Sequence, residues 1–320
     1  MTTAEQTVST THRITLGRSG LEVSPICYGS WQLSPRFWGD QNHETLTHAM
    51  QRAFELGINF YDTADAYGDG LAEQVMGDAL KDLPRDQLVV ATKVYWHFYE
   101  DGRRHPDLSR DYIIEACEAS LKRLNMDYID LYQCHAFDPL AHPQEIVEAL
   151  TRLQRQGKIR CYGTSNWNPE QLRMAAAHGA RFDTEQPPYS LINRGIENEL
   201  LPYCVANDIG VLVFSPLHKG LLTGKYTGKE TFDDFRGNQA DFQGERFATI
   251  CERVKQVGEI AERYNLSTVQ LVLATTLMHP GIHCAITGIK RVSDIEEAAG
   301  AMGKTLSRED YFEVRTLLTV

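Results

Sequence analysis

Little in this 320-residue chain points to a membrane, to nucleic acid or to disulfide chemistry. No apolar run approaches the length of a transmembrane helix, so no membrane insertion is expected. Residues Met1 to His12 are polar and Thr-rich and lack the apolar core of a signal peptide. They read as a flexible tail, with the fold beginning at Arg13. A basic excess is missing too: 32 Lys and Arg stand against 43 Asp and Glu, a formal charge of −11. Phosphate-backbone binding therefore drops out as a main task, because nucleic-acid binders carry basic surfaces. The seven cysteines are odd in number and contain no C-x-x-C pair, which excludes the common zinc and redox motifs. A reduced, cytoplasmic setting suits them, and no resident metal is expected.

Nucleotide fingerprints are also absent. Gly68-Asp69-Gly70-Leu71-Ala72 continues with Glu73 where a dinucleotide turn needs a small residue. Gly220-Leu221-Leu222-Thr223-Gly224-Lys225 is one residue short of a phosphate loop, and Tyr226 stands where Ser or Thr is needed.

What the chain does have is alternation. Short apolar runs at Ile26–Gly29, Ile58–Asp62, Leu88–Lys93, Tyr128–His135, Ile159–Thr164, Phe182–Gln186, Val211–Ser215 and His283–Thr287 read as parallel strands buried on both faces. Amphipathic stretches lie between them. Leu46, Met50, Ala53 and Phe54 make one stripe, stopped by Gly57. Pro143 opens another, with Ile146, Leu150 and Leu153 facing inward and Gly157 at its end. Ser267-x-x-Gln270 and Ser293-x-x-Glu296 have the form of capping boxes. Eight strands separated by helices predict an α/β protein, a (β/α)₈ TIM barrel filling residues 13–320 as one catalytic domain.

In such barrels, chemistry sits where the strands end at their carboxyl side. The polar residues ending otherwise apolar strands are Asp62, Lys93, His135, Thr164-Ser165-Asn166, Gln186 and Ser215. Singly, each has an ordinary explanation: a turn cap for Asp62, a loop aromatic for Tyr67, a snorkelling end for Lys93, a structural histidine for His135. Together at one end of one barrel they have a chemical one. Buried Asp62 and Lys93 must pair, since an isolated buried charge is costly. Carbonyl reduction by hydride needs a proton donor at the oxygen and stabilisation of the developing alkoxide. Tyr67 can donate, with an ammonium at Lys93 lowering its pKa; Asp62 holds the ammonium and His135 donates a second hydrogen bond.

Gly57-Ile58-Asn59-Phe60-Tyr61-Asp62-Thr63-Ala64-Asp65-Ala66-Tyr67-Gly68 resembles the signature of the aldo-keto reductase family around its Asp and Tyr. Ala91-Thr92-Lys93 resembles the segment of the family lysine, and Asp127-Tyr128-Ile129-Asp130-Leu131-Tyr132-Gln133-Cys134-His135 the stretch leading to its histidine. The likeness runs from Leu16-Gly17-Arg18-Ser19-Gly20 to the last barrel helix, nearer the bacterial and channel-β-subunit-like branches than the aldose-reductase branch. It implies an NADPH-binding barrel with Asp62, Tyr67, Lys93 and His135 as a catalytic tetrad, Tyr67 serving as general acid in reduction and base in oxidation. It implies nicotinamide contacts from Ser165, Asn166 and Gln186, and ring stacking on Phe214. Further cofactor contacts follow at Gly29, Ser30, Trp31 and Asp62, and at Ser215, Pro216, Leu217, Lys219, Gly220, Leu222, Gly224 and Lys225 in the loop over the pyrophosphate.

The last cofactor segment implies contacts at Gly288, Lys290, Asp294, Glu297 and Ala298 around the adenosine 2′-phosphate. It departs from the family pattern in having Thr287 for Pro, Asp294 for Gln and Ala298 for Asn. Lys290 and Arg291 keep the positive charge that suits a phosphate, whereas Asp294 would repel one. NADP(H) is the expected cofactor, with NAD(H) the alternative. The substrate is expected to be an aldehyde, ketone or sugar carbonyl, or the corresponding alcohol. Trp31 and Trp96, with Tyr67 and His135, are candidates for its walls; His97, Phe98 and Phe137 are placed near the same mouth, and the basic cluster Arg103-Arg104-His105 reads as a solvated turn, with attraction of an anionic substrate as the alternative. Two rivals accompany this reading: a nucleotide-binding accessory subunit with little turnover, and an alcohol or sugar dehydrogenase running in the oxidising direction. The oligomeric state is not readable from the sequence, because barrels of this kind are complete without a partner.

Overall fold

The computed structural model describes residues 12–99 and 101–320. The expected tail therefore lies, apart from His12, outside the described residues. Eight parallel strands close into a barrel: β1 Ile26–Gly29, β2 Phe60–Asp62, β3 Val89–Val94, β4 Ile129–Cys134, β5 Ile159–Ser165, β6 Thr184–Gln186, β7 Gly210–Phe214 and β8 Cys284–Gly288. They follow one another around the ring in chain order, and β8 closes on β1 through Ala285 opposite Ile26 to Gly288 opposite Gly29. All eight expected strands are present, a residue or two shorter or longer at their ends.

Among the described residues, eight helices alternate with the strands, α1 His43–Glu55, α2 Leu71–Leu80, α3 Arg110–Leu124, α4 Pro143–Arg155, α5 Pro169–Ala177, α6 Leu200–Ala206, α7 Thr268–Leu277 and α8 Val292–Ala299, while the longer helix Gly244–Arg263 packs on α7 and on the helix Arg308–Leu317. Their buried stripes are the expected ones: Leu46, Met50 and Ala53 on α1, and Ile146, Leu150 and Leu153 on α4, which starts with Pro143. Ser267 and Gln270 form the expected capping box of α7. The second expected box, at Ser293 and Glu296, is not formed. Helix α8 begins two residues earlier than that box implies, and Asp294 closes its amino end by accepting hydrogen bonds from the backbone N–H groups of Lys290 and Arg291. A carboxylate in the first turn competes well for those donors, because they also lie at the positive end of the helix dipole.

Two apolar shells result. Cys27, Phe60, Ala91, Leu131, Leu212 and Ile286 fill the lumen, while a larger cluster from the outer strand faces packs beneath the helices. A short hairpin, Ile14–Thr15 with Glu22–Val23, plugs the amino-terminal mouth and sends Leu16, Leu21 and Val23 into the lumen cluster. Its turn presses so closely on β7 that a Cβ on Gly17 would lie 2.2 Å from the Gly210 nitrogen, and Gly17 has φ +53°. Only glycine fits there. With one mouth sealed, the other is left for chemistry.

Candidate active site

The carboxyl ends of the strands converge on a cavity of about 1180 Å³. At its base Lys93 is fully buried on β3, and its ammonium donates to Asp62 Oδ1 at 2.6 Å and to the Thr63 carbonyl at 2.7 Å. Its third donor reaches the Tyr67 hydroxyl at 3.4 Å. The expected pair is thus formed, and its ammonium is aimed at the tyrosine. Asp62 accepts a second hydrogen bond, from Gln186 Nε2 at 2.9 Å, so both carboxylate oxygens are satisfied. A buried ion pair is tolerable when its remaining hydrogen-bonding capacity is used in this way.

His135 follows β4, where its backbone N–H donates to the Val94 carbonyl at 2.9 Å. Its ring meets that of Tyr67 edge to face, with centroids 5.7 Å apart. Burial, and then the nearby Lys93 charge, pull its pKa down to about 3. The imidazole is therefore neutral around pH 7 and has one N–H to donate. Tyr67 departs from expectation. Lys93 does draw its pKa down, but burial is the larger effect and the balance lies above the ordinary tyrosine value. The hydroxyl is held protonated, as a donor requires.

The walls come from the remaining strand ends. Ser165 Oγ donates to the Gln186 carbonyl at 2.8 Å, and Asn166 Nδ2 donates to the His135 carbonyl and to Ser165 Oγ, both at 3.0 Å. Asn166 has φ +61°, a left-handed conformation that Asn adopts more readily than most residues. Glu185 fixes that turn from behind, accepting from the Trp167 N–H at 3.1 Å and from the Thr164 hydroxyl. Burial pushes its pKa up to about 8. Phe214 ends β7, and beyond it Ser215, His218, Lys219 and Gly220 all have positive φ. Left-handed runs of this kind make concavities suited to anions.

Towards the far end the wall is cationic. Lys290 Nζ lies 4.2 Å from the centre of the Trp38 ring, and the Arg236 guanidinium 6.0 Å from the same ring. Burial, then the neighbouring charges of Arg236 and Lys225, push the Lys290 pKa down. Cations that destabilise one another this way favour an anion between them. Arg291 is engaged elsewhere: its guanidinium holds Asp294 at 2.9 Å.

The chain matches the Aldo/keto reductase family over residues 25–319. It belongs to the aldo-keto reductases. It is 38% identical to an aldo-keto reductase of Bacillus subtilis over 305 residues, covering 94% of this chain and 91% of the relative. It is 34% identical to the NADH-specific methylglyoxal reductase of Escherichia coli, with 95% and 98% covered. Among solved structures, the glycerol dehydrogenase of Gluconobacter oxydans superimposes with a TM-score of 0.89 at 29% identity, over 97% of this chain and 95% of that one. The protein is accordingly an NAD(P)H-dependent oxidoreductase.

The cavity of this aldo-keto reductase fits a nicotinamide dinucleotide. It offers an aromatic face at Phe214, amide and hydroxyl groups beside Asp62, Tyr67 and His135, and cations at the distal end. Ser30 Oγ and His135 Nδ1, on its wall residues, are buried and have no hydrogen-bond partner among the described residues. Of the residues expected to touch cofactor or substrate, Leu222 and Gly224 do not line the cavity. Leu222 is buried in the outer core, and Gly224 forms a left-handed turn. Trp31 and Trp96 do line it; His97, Phe98 and Phe137 do not, and Phe137 packs against Trp167 at 5.1 Å.

Arg36, Phe37, Trp38 and Arg236 are among the lining residues that lay outside the sequence reading. Trp38 and Phe235 meet edge to face at 5.1 Å, joining the loop after β1 to the loop after β7. The clustered aromatics of Trp31-x₅-Phe37-Trp38 were the available signal. Arg104 also lines the cavity, from a hairpin, Trp96–Phe98 with Arg104–Pro106, where a solvated turn was expected.

Proposed function

We propose that the protein reduces an aldehyde, ketone or sugar carbonyl, with Tyr67 as the proton donor, and can run the reverse alcohol oxidation. The observation that carries this is the Lys93 ammonium held between Asp62 and the Tyr67 hydroxyl. A bound reduced nicotinamide supplies the hydride. The chain's own residues do the rest. Lys93 stabilises the negative charge that gathers on the phenol oxygen as its proton leaves, and Asp62 keeps the ammonium charged and in place. Neutral His135 donates to the substrate oxygen and orients it between the imidazole and the phenol. In the oxidising direction Tyr67 takes the alcohol proton back.

Ser165, Asn166 and Gln186 would hold the carboxamide, with Gln186 exchanging its bond to Asp62 or sharing it. Phe214 would face the ring, and the loop from Ser215 to Lys225 would hold the pyrophosphate. Lys290, with Arg236 and Lys225 nearby, supports NADPH over NADH, although the Escherichia coli relative is NADH-specific. Trp31 and Trp96 wall the substrate end, which suits small carbonyl compounds that stack on flat apolar faces.

The test follows absorbance at 340 nm with NADPH and with NADH against a panel of aldehydes, for the wild type and Tyr67→Phe. A fall in kcat of about 10²–10⁴ with nucleotide affinity retained is expected, the range that general acid catalysis contributes. Turnover that survives the substitution would remove Tyr67 from the role.

A further inference from the structure

The hairpin Trp96–Phe98 with Arg104–Pro106 has two faces, and only one of them belongs to the cavity. Trp96 and Arg104 line the cavity. Side chains alternate along a strand, so His97 and its cross-strand partner His105 project from the opposite face, together with Tyr99. Asp107 follows the second strand, and its Oδ2 meets His97 Nδ1 at 3.0 Å.

We propose that His97, His105 and Asp107 form a binding site for one divalent transition-metal ion of the zinc type, on the outer face of this hairpin. Donor atoms of the three residues all lie within 4.8 Å of one another. Two ligands on a tetrahedral zinc ion are about 3.3 Å apart, given zinc–nitrogen bonds of about 2.0–2.1 Å. The His97–Asp107 pair is already near that separation, and a small rotation of exposed His105 brings in the third ligand.

The surroundings fix the imidazoles as a metal site requires. His97 is stacked between Tyr112, at 4.4 Å and 11°, and Tyr99, at 4.9 Å and 19°. The Tyr112 hydroxyl donates to the Trp96 carbonyl, which ties the hairpin to α3. Asp107 uses its other oxygen to accept from the Ser109 N–H at 2.8 Å, so its carboxylate is oriented from behind. One nitrogen of His105 sits 2.8 Å from the Pro106 carbonyl, leaving Nε2 to the Tyr99 hydroxyl at 2.8 Å or to a metal. Ligands whose second atoms are held by such partners bind metal more tightly than free side chains do. Two imidazoles and a carboxylate, with water completing the coordination, suit zinc, cobalt, nickel or copper rather than magnesium or calcium. The seven cysteines are all buried and offer no competing thiolate at this surface.

The experiment titrates untagged, chelator-treated full-length protein with Zn²⁺ by calorimetry and with Co²⁺ by its visible absorption. One ion per chain is expected. His97→Ala and His105→Ala should each weaken binding by about tenfold or more, since even an outer-shell partner is worth that much. His135→Gln and His142→Ala should bind as the wild type does; they remove the proposed catalytic histidine and one member of another adjacent histidine pair, His142 with His178. Circular dichroism confirms that each variant is folded. The proposal fails if the wild type binds neither ion, if binding survives both hairpin substitutions, or if it is lost in either control.

Discussion

Replacing Lys93 by Met tests the central electrostatic claim, that Asp62 and Lys93 are a mutually dependent buried pair. The side chains are almost wholly removed from water, with 0% and 3% exposure, and the nitrogen–oxygen distance is 2.6 Å. Methionine fills nearly the same space, so the change removes charge more than volume. Asp62 would then be buried with only the amide hydrogen bond from Gln186. Orphaning one member of a buried pair costs about 3–5 kcal/mol. The carboxylate can limit that cost by taking up a proton, at about 1.36 kcal/mol for each pH unit between its unfolded pKa of about 3.9 and the ambient pH. That ceiling is about 5.6 kcal/mol at about pH 8, above the direct cost, and about 2.2 kcal/mol at about pH 5.5, below it.

The variant should therefore lose about 3–5 kcal/mol relative to wild type in urea unfolding at about pH 8, and only about 2 kcal/mol at about pH 5.5. The sign follows from linkage. In the variant the folded state holds the Asp62 proton more tightly than the unfolded state, so stability falls as pH rises above about 3.9. Adding Asp62→Leu should recover at least about 2 kcal/mol at about pH 8, because no orphaned charge remains. A loss below about 1 kcal/mol that is the same at both pH values would refute the reasoning. It would mean that Asp62 finds water or another partner in this cavity, and that Lys93 is not needed to keep it ionised.

Two further outcomes follow. Glu185, held by burial at a pKa of about 8 against 4.5 in the unfolded chain, makes the folded state the stronger proton binder between those values. Stability from this group falls as pH rises from about 4.5 to about 8; Glu185→Gln should flatten the urea-unfolding profile there by up to about 1.4 kcal/mol per pH unit, and an unchanged slope would show that the carboxyl ionises freely. Asp294→Gln should release Arg291 from its ion pair and remove a negative charge near Lys290, tightening NADPH binding about tenfold relative to NADH in fluorescence titrations. An equal change for both nucleotides would place this segment away from the 2′-phosphate.

The barrel was legible because each strand is buried on both faces. β3 is wholly buried along its length and opens with the apolar run Val89-Val90-Ala91 that such a strand calls for. Asp62, Lys93 and Gln186 interrupt that pattern at or beside the cavity, whereas Asp130 and Gln133 interrupt buried β4 without lining it. The hairpins had no such signature. Ile14–Thr15 with Glu22–Val23 has two residues per strand, too few for a period, and the Trp96–Phe98 hairpin mixes aromatic, histidine and arginine because both its faces touch something polar or wet. The lining contributed by Trp38 and Arg236 was hidden for another reason. It depends on two loops, far apart in sequence, meeting over the cavity through the Trp38–Phe235 contact.

Tyr67 shows what sequence reasoning of this kind leaves out. The type of each neighbour predicts the sign of its effect: a lysine lowers the pKa of a phenol. Burial opposes that effect, and its size depends on how much of the ring the fold encloses, which no local motif encodes. Here burial wins, and the balance is what a reductase needs. A phenol whose pKa fell towards 7 would spend much of its time deprotonated and unable to donate. Lys93 need not ionise Tyr67 in advance. In the proposed role its contribution would grow as the proton moves, because the ammonium at 3.4 Å is attracted far more strongly to a phenolate than to a phenol.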